Sequence, residues 1–209
     1  MKVTCRAHLA RYRHRYLRQL HAQCRSPTIL VHAPKTGGMS VSKALGYEKD
    51  PGHFTFAQHL DTKKVSVERV VVTIRDPIAR LRSIFKYSRK RSQASSLAPL
   101  RPVRRYESLS GFVCSSDFRV MVKEHYFFRP QYYFAQGVFA TELPVHFIRT
   151  EKLASDARQA GIADVKQLNK SPSMSDEATR LDSGAFEIAR SAYEIDEMYL
   201  AMALSRMPA

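Results

Sequence analysis

The sequence predicts an α/β fold in which a parallel sheet of about four to five strands is flanked by helices. Apolar, β-branched runs at residues 28–33 and 70–74 are each followed by a turn and a helical pattern. A third run at 145–149 again precedes a helix signal. Strands that alternate with helices are typical of parallel sheets. With 209 residues, the chain is long enough for one domain, which we predict over residues 27–209.

The first strand leads into a loop with the properties of a phosphate-binding site. Pro34 ends the strand because it has no amide hydrogen to donate. Gly37 and Gly38 permit a tight turn that gathers backbone amides, and a helix begins at Ser40. Lys35 adds a positive charge, but it precedes the glycines, so the loop is not a Walker A motif. Glycine-rich turns also follow strands in α/β proteins that bind no anion.

The second strand leads into a phosphate-binding pattern of another kind. Arg75 stands at the carboxyl end of the strand, where open α/β sheets bind ligands. Asp76 and Pro77 are typical of a helix start. On that helix, Arg80 and Ser83 share a face. Arg75 and Ser83 can hold one phosphate between a guanidinium and a hydroxyl. The alternative is a solvated basic helix with an ordinary N-cap.

Together these two segments resemble the cofactor motifs of sulfotransferases. The stretch Pro34-Lys-Thr-Gly-Gly-Met-Ser40 is similar to their 5′-phosphosulfate loop, and Arg75-Asp-Pro-Ile-Ala-Arg-Leu-Arg-Ser83 is similar to their 3′-phosphate motif. The resemblance is nearest to the carbohydrate branch, including uronosyl 2-O sulfotransferases and bacterial relatives. It implies a three-layer, P-loop nucleotide-binding-like fold and 3′-phosphoadenosine-5′-phosphosulfate (PAPS) as cofactor. The implied cofactor-binding residues are Pro34, Lys35, Thr36, Gly37, Gly38, Met39, Ser40, Arg75 and Ser83.

One residue of the loop departs from the family pattern. Met39 stands where the family usually has a hydroxyl residue, which removes one contact to the sulfonate. We expect Ser40 or Thr36 to supply that hydroxyl instead.

The resemblance also implies the catalytic groups of an in-line sulfonate transfer. Lys35 stabilises the leaving phosphate in such a mechanism. The segment Gly52-His-Phe-Thr-Phe56 is similar to the one that supplies the base in uronosyl 2-O sulfotransferases, so we expect His53 to be the base. His59 is the reserve candidate. The separation of the two histidines does not suit a helical metal pair, and lysine with a helix dipole can supply the positive field, so we expect no metal.

The acceptor side is indicated by a later resemblance. The stretch Arg129-Pro-Gln-Tyr-Tyr133 is similar to a segment near the acceptor in the carbohydrate branch. Arg129 and Gln131 are therefore expected to bind a carbohydrate or another hydroxyl acceptor, while the surrounding aromatic residues form core. A basic, serine-rich segment at 88–110 is broken by prolines, which predicts a mobile loop that attracts an acidic acceptor or the cofactor.

The positive charge of the chain is unevenly distributed. The net charge is +15, and no acidic residue precedes Glu48. Residues 6–24 have the pattern of a basic amphipathic helix, so we separate residues 1–26 as an N-terminal segment. Three roles are compatible with this N-terminal segment: a helix docked on the domain, a contact with a membrane surface or polyanion, or a transit sequence. The odd count of three cysteines and the lack of a long apolar run predict a soluble, cytoplasmic protein.

The C-terminal residues predict one long helix over about 175–204. Its apolar stripe comprises Ile188, Ala192, Ile195, Tyr199 and Met202. The acidic residues of this helix, Asp196 among them, are expected to face solvent.

Two other classes of function are compatible with the sequence. A P-loop kinase also uses a strand, loop and helix, although the expected lysine position and Mg²⁺-binding carboxylate are not evident. A non-catalytic polyanion-binding protein would use the net charge of +15. RNA-binding signatures are absent from the sequence, so we expect no nucleic-acid partner. The acceptor hydroxyl is not identified by these motifs, because fold resemblance does not carry substrate specificity.

Overall fold

The computed structural model describes residues 26–47, 52–62, 66–91, 100, 102–166, 168 and 175–208. Its sheet contains three parallel strands, β1 (Thr28–His32), β2 (Arg69–Ile74) and β3 (Val145–Arg149), in the order β1-β2-β3. At the centre of the sheet, Val72 is opposite Val31 on one side and Phe147 on the other. The α/β class and the three predicted strands are confirmed.

The predicted number of four to five strands is wrong for the described part of the chain, which contains three. The β-branched runs are confined to these three segments. Many of the other buried apolar residues, among them Leu81, Phe85, Phe112 and Ala189, lie on helices.

Ten α-helices are present among the described residues. Several begin at a serine whose hydroxyl accepts a backbone N–H, as Ser108 does from Gly111 and Ser115 from Phe118. None of the ten combines the length and the apolar composition needed to span a membrane. They are α1 (Gly38–Ala44), α2 (Phe56–Thr62), α3 (Pro77–Arg91), α4 (Leu109–Val113), α5 (Ser116–Glu124), α6 (Tyr132–Ala135), α7 (Leu153–Gln159), α8 (Asp176–Thr179), α9 (Ser183–Ala192) and α10 (Glu194–Ser205).

The described residues group into two compact units. The sheet unit contains residues up to 33, 37–74 and 134–168, and the helical unit contains residues 34–36, 75–133 and those after 168. Each unit has its own buried core. The sheet unit is packed around Leu30, Val41, Val71, Ile148 and Leu153, with further buried neighbours. The core of the helical unit includes Leu81, Phe85, Phe112, Phe118, Phe128 and Tyr193.

The predicted loop at 88–110 differs from the structure, and the predicted N-terminal helix cannot be compared with it. The predicted loop at 88–110 is wrong at both ends, because α3 continues to Arg91 and α4 begins at Leu109. Leu100 and Val103 are buried in the core of the helical unit. Residues 92–99 and 101, and the predicted basic helix within residues 1–26 with its expected membrane contact, lie outside the described residues.

The single C-terminal helix of the prediction is wrong, because three helices occupy this region. Asp182 accepts the backbone N–H of Ala185 at 2.8 Å and starts α9. The backbone leaves helical geometry again at Tyr193, with φ −119° and ψ 20°, and the next helix begins at Glu194. The predicted apolar stripe is also out of phase. The buried positions include Ala185, Ala189, Tyr193 and Asp196, whereas Ile195, predicted to be in the stripe, is 43% exposed. Asp196, predicted to face solvent, is fully buried.

Candidate functional site

The loop that follows β1 has an unusual backbone conformation at its lysine. Lys35 has φ 69° and Gly37 has φ 81°. A left-handed residue other than glycine costs about 1 kcal/mol, so its surroundings must hold it. Two arginines do so within the helical unit. Arg75 Nη1 donates a hydrogen bond to the Lys35 carbonyl at 3.1 Å, and Arg80 Nε donates to the Pro34 carbonyl at 3.0 Å.

Arg75 is itself held by a buried glutamine. The side-chain oxygen of Gln131 accepts the Arg75 backbone N–H at 3.1 Å, and its side-chain nitrogen donates to the Arg75 carbonyl at 2.6 Å. The structure therefore uses the Gln131 amide to fix the backbone at the end of β2. The helix after it starts as predicted, because Asp76 Oδ1 accepts the Ala79 N–H at 2.7 Å.

Arg80 connects three separate segments of the helical unit. Its side chain is fully buried. Besides Pro34, its guanidinium donates to the carbonyls of Phe127 at 3.0 Å and Arg129 at 2.9 Å. Its Nη1 lies 3.8 Å from Asp196 Oδ2. Burial lowers the pKa of Arg80, while the nearby Tyr193 and Asp196 oppose that shift. The alternative of a solvated helix face therefore does not apply to Arg80.

Asp196, which the sequence analysis did not include in the candidate site, contacts Gln131 and lies beside Arg80. Its two oxygens accept the backbone N–H groups of Gln131 at 2.8 Å and Tyr132 at 2.9 Å. Burial raises the pKa of Asp196, and the positive charge of Arg80 opposes this increase. Spacing was the available signal, because Asp196, Tyr199 and Ala203 recur at helical spacing and all three are buried.

The remaining predicted phosphate ligands of the helical unit lie close to aromatic or buried surroundings. The Lys35 ammonium is 4.6 Å from the centre of the Tyr87 ring, a cation–π distance. Ser83 is only 3% exposed, and Thr36 is fully buried. Lys35 and Arg75 are both half-buried. These two cations can attract an anion more strongly than fully solvated ones because water screens them less.

The predicted base, His53, is oriented by a backbone carbonyl within the sheet unit. Its Nδ1 lies 3.2 Å from the carbonyl oxygen of His32. A carbonyl only accepts hydrogen bonds, so Nδ1 carries the proton and Nε2 of the neutral ring carries the lone pair. The two imidazole rings are 4.6 Å apart with an interplanar angle of 70°. His53 is half-buried, and its tautomer suits a general base.

His32 is a buried neutral histidine beneath the glycines of the loop. Burial lowers its pKa from 6.5 to about 4, although hydrogen bonds with the backbone of Gly52 and Ala33 favour the protonated form. A Cβ atom at Gly38 would lie 2.2 Å from the His32 ring. Gly38 is therefore needed for close packing against the imidazole, in addition to any role in a turn.

The reserve base, His59, and the loop hydroxyl of Ser40 are both buried. His59, on α2, is fully buried and its ring centre lies 6.0 Å from that of Phe54. His53 is thus the more accessible of the two candidate bases. Ser40 is 2% exposed, and its hydroxyl accepts the backbone N–H of Leu168 at 2.9 Å. Met39, between the buried Gly38 and Ser40, is half-buried.

The two expected acceptor-binding residues are placed differently in the helical unit. The guanidinium carbon of Arg129 is 4.7 Å from the ring centre of Tyr133, which is 43% exposed. Gln131 is 2% exposed and its amide is engaged with Arg75. Arg129 is thus the better placed of the two to meet a ligand.

The end of β3 carries an ion pair that the sequence prediction did not include. Arg149 forms a two-pronged contact with Asp156, through Nε at 2.7 Å and Nη2 at 2.8 Å. Burial of Asp156 acts to raise its pKa, but the hydrogen bonds from Arg149 outweigh it, and the pKa is lowered. Thr150, the residue after β3, donates its hydroxyl to the Ile74 carbonyl at 3.1 Å. The pair stabilises the turn after β3.

The described residues contain no group of three or more histidine, cysteine, aspartate or glutamate side chains that could hold a metal ion.

The comparisons with known proteins add no relative. No family model, no curated protein and no solved structure matches the chain. The resemblance to sulfotransferases therefore rests on the sequence motifs alone.

Proposed function

We propose that this protein transfers a sulfonate group from PAPS to a hydroxyl group of a carbohydrate acceptor. The observation that carries the proposal is that the two motif segments are hydrogen-bonded to each other. Arg75 contacts the Lys35 carbonyl at 3.1 Å across 40 residues of sequence, and Arg80 contacts the Pro34 carbonyl at 3.0 Å. Such contacts favour a shared ligand over two unrelated turns.

The cationic side chains fit a nucleotide that carries phosphate on both sides of its ribose. In this proposal the loop at 34–40 binds the 5′-phosphosulfate, with Lys35 as its charged ligand. Arg75 binds the 3′-phosphate, which a guanidinium can grip with two N–H groups. Ser83 is the less accessible of the two expected 3′-phosphate ligands, because it is 3% exposed. Arg75 therefore provides the decisive test.

The proposed chemistry is a single in-line displacement. Bound PAPS supplies a sulfur atom whose bond to the bridging 5′-phosphate oxygen breaks as the acceptor oxygen bonds to it. His53 Nε2 takes the proton of the acceptor hydroxyl, since Nδ1–H is committed to the His32 carbonyl. Lys35 stabilises the negative charge that develops on the bridging oxygen. A donor of this kind typically contributes about 10²–10³ in rate, and a positioned base about 10²–10⁴.

Calorimetric titration with adenosine 3′,5′-bisphosphate tests the proposal without knowledge of the acceptor. The purified protein is titrated in parallel with adenosine monophosphate and with ATP plus Mg²⁺. We expect selective micromolar binding of the bisphosphate. Binding should weaken by about 10- to 100-fold in Arg75→Ala, because a hydrogen-bonded charge contact to phosphate is lost.

Arg82→Ala is the matched control for this titration. Arg82 lies on α3, the helix that follows Arg75, and its side chain is exposed. The substitution therefore removes the same charge without a change at the loop. The affinity of Arg82→Ala for the bisphosphate should stay within about twofold of the wild type, because the loss of a distant charge has only a small electrostatic effect. Equal losses in the two variants, or a preference for ATP with Mg²⁺, would contradict the proposal.

A non-catalytic polyanion-binding function is the second candidate, and the net charge of +15 favours it. The two functions differ in their dependence on salt and on Lys35. Binding of a polyanion such as heparin should fall steeply with salt concentration and survive Lys35→Ala. Binding of the bisphosphate should not survive that substitution.

A further inference from the structure

We propose that Asp196 is a positioning residue that orients Arg75 and Arg80, the two arginines that hold the proposed nucleotide-binding loop. This inference rests on the proposed function. Asp196 lies in the first turn of α10, about 160 residues after the loop it would control, and its side chain is fully buried. Two chains of contacts run from its carboxylate, and both end on backbone carbonyls of the loop.

The first chain of contacts passes through Arg80. Asp196 Oδ2 lies 3.8 Å from Arg80 Nη1, which is an electrostatic contact at the limit of an ion pair. The other nitrogens of the same guanidinium donate to the carbonyls of Pro34, Phe127 and Arg129 at 2.9–3.0 Å. A buried guanidinium needs a nearby negative charge. Asp196 therefore fixes the group that holds the Pro34 carbonyl.

The second chain of contacts passes through Gln131. The Asp196 oxygens accept the backbone N–H groups of Gln131 and Tyr132 at 2.8 and 2.9 Å. The Gln131 amide then brackets the backbone of Arg75 at 3.1 and 2.6 Å. Arg75 in turn donates to the Lys35 carbonyl at 3.1 Å. The position of the Arg75 guanidinium thus depends on a segment that Asp196 anchors.

The two chains meet on adjacent peptide groups of the loop. They hold the carbonyls on either side of the Lys35 backbone, which is in the left-handed conformation at φ 69°. A lysine adopts this conformation only where neighbouring groups impose it. Loss of the Asp196 carboxylate removes that restraint from both sides, so Lys35 and Arg75 should no longer be held ready for phosphate.

The alternative is that Asp196 only balances a buried charge and has no effect beyond overall stability. Two controls separate these roles. Glu197→Gln removes an acid from the next position, where Glu197 makes an exposed ion pair with Arg190 at 3.3 Å. Val103→Ala removes volume from the core of the helical unit and lowers stability away from the chain of contacts.

The experiment measures two properties of Asp196→Asn, whose side chain has nearly the same shape. One is the affinity for adenosine 3′,5′-bisphosphate, and the other is hydrogen exchange of the unliganded protein at residues 35–36 and 131–132. We expect affinity to fall about 10- to 100-fold, with faster exchange confined to these residues. Glu197→Gln and Val103→Ala should leave both properties within about twofold of the wild type, apart from a uniform change in exchange for Val103→Ala.

A second variant keeps the proposal testable if Asp196→Asn does not fold. Replacing a buried ion pair by apolar residues of similar volume is often neutral for stability, so we choose Arg80→Met with Asp196→Leu. A folded double variant with wild-type affinity and wild-type exchange at the loop would overturn the proposal. Equal losses of affinity in Asp196→Asn and Val103→Ala would do the same.

The two proposals fail in different ways. If the wild-type protein does not bind the bisphosphate, the proposed function is wrong, whereas the exchange measurement still reports whether Asp196 holds the loop. If the wild-type protein binds but Asp196→Asn binds equally well, the proposed function stands and the role of Asp196 is wrong.

Discussion

The buried histidine at the end of β1 should make the stability of the protein depend on pH. Burial lowers the pKa of His32 from 6.5 to about 4. Between these two values the unfolded chain binds a proton at this site that the folded chain does not. The free energy of unfolding contributed by His32 is therefore complete above pH 6.5 and is lost as the pH falls toward 4.

The size of the effect follows from the difference between the two pKa values. A difference of one unit corresponds to about 1.4 kcal/mol. The shift of His32 from 6.5 to about 4 then corresponds to about 3 kcal/mol lost between pH 7 and pH 4. Such a loss is a substantial part of the stability of an ordinary domain.

Urea unfolding of the wild type and of His32→Asn at several pH values between 7 and 4 measures this contribution. Asparagine retains a donor near the position of Nδ1 but does not titrate. The difference between the two curves isolates His32 from His125 and His146, whose pKa values burial also lowers. His146→Asn is the control, because His146 is only half-buried and should change the slope less. Parallel curves for the wild type and His32→Asn would refute the reasoning.

Three further substitutions test the loop, the helix start and the base. Gly38→Ala places a Cβ 2.2 Å from the His32 ring, so thermal unfolding should show a loss of about 1–3 kcal/mol; an unchanged midpoint would contradict this close packing. Asp76→Ala removes the N-cap of α3 and should cost about 1 kcal/mol in the same assay, whereas Asp76→Asn should cost much less. His53→Asn should lower sulfonate transfer to an accepted carbohydrate by about 10²–10⁴ with bisphosphate affinity unchanged, and His59→Asn should mainly lower stability.

Features encoded by neighbouring residues could be predicted from the sequence. The strands were found because β-branched residues cluster there, and Asp76 was identified as a cap from its place before Pro77. Features set by packing between distant segments could not. For Asp196, spacing indicates a buried face but not the partners of the carboxylate, because the backbone N–H groups of Gln131 and Tyr132 that it accepts lie 65 and 64 positions earlier. Gln131 is another example: the sequence predicts contact with an acceptor, but its amide pairs with the backbone of a residue 56 positions earlier. Such a pairing leaves no local sequence pattern.

The backbone at Lys35 separates the requirements of folding from those of binding. At φ 69°, glycine would be easier to accommodate than lysine by about 1 kcal/mol. Folding alone would therefore favour glycine at this position, and the lysine side chain stands there against the preference of its own backbone. Lys35→Gly should accordingly give a protein that is more stable than Lys35→Ala, while both lack the ammonium group. If Lys35→Gly and Lys35→Ala differ in stability but bind an anion equally poorly, the left-handed backbone sets the stability and the ammonium group sets the binding.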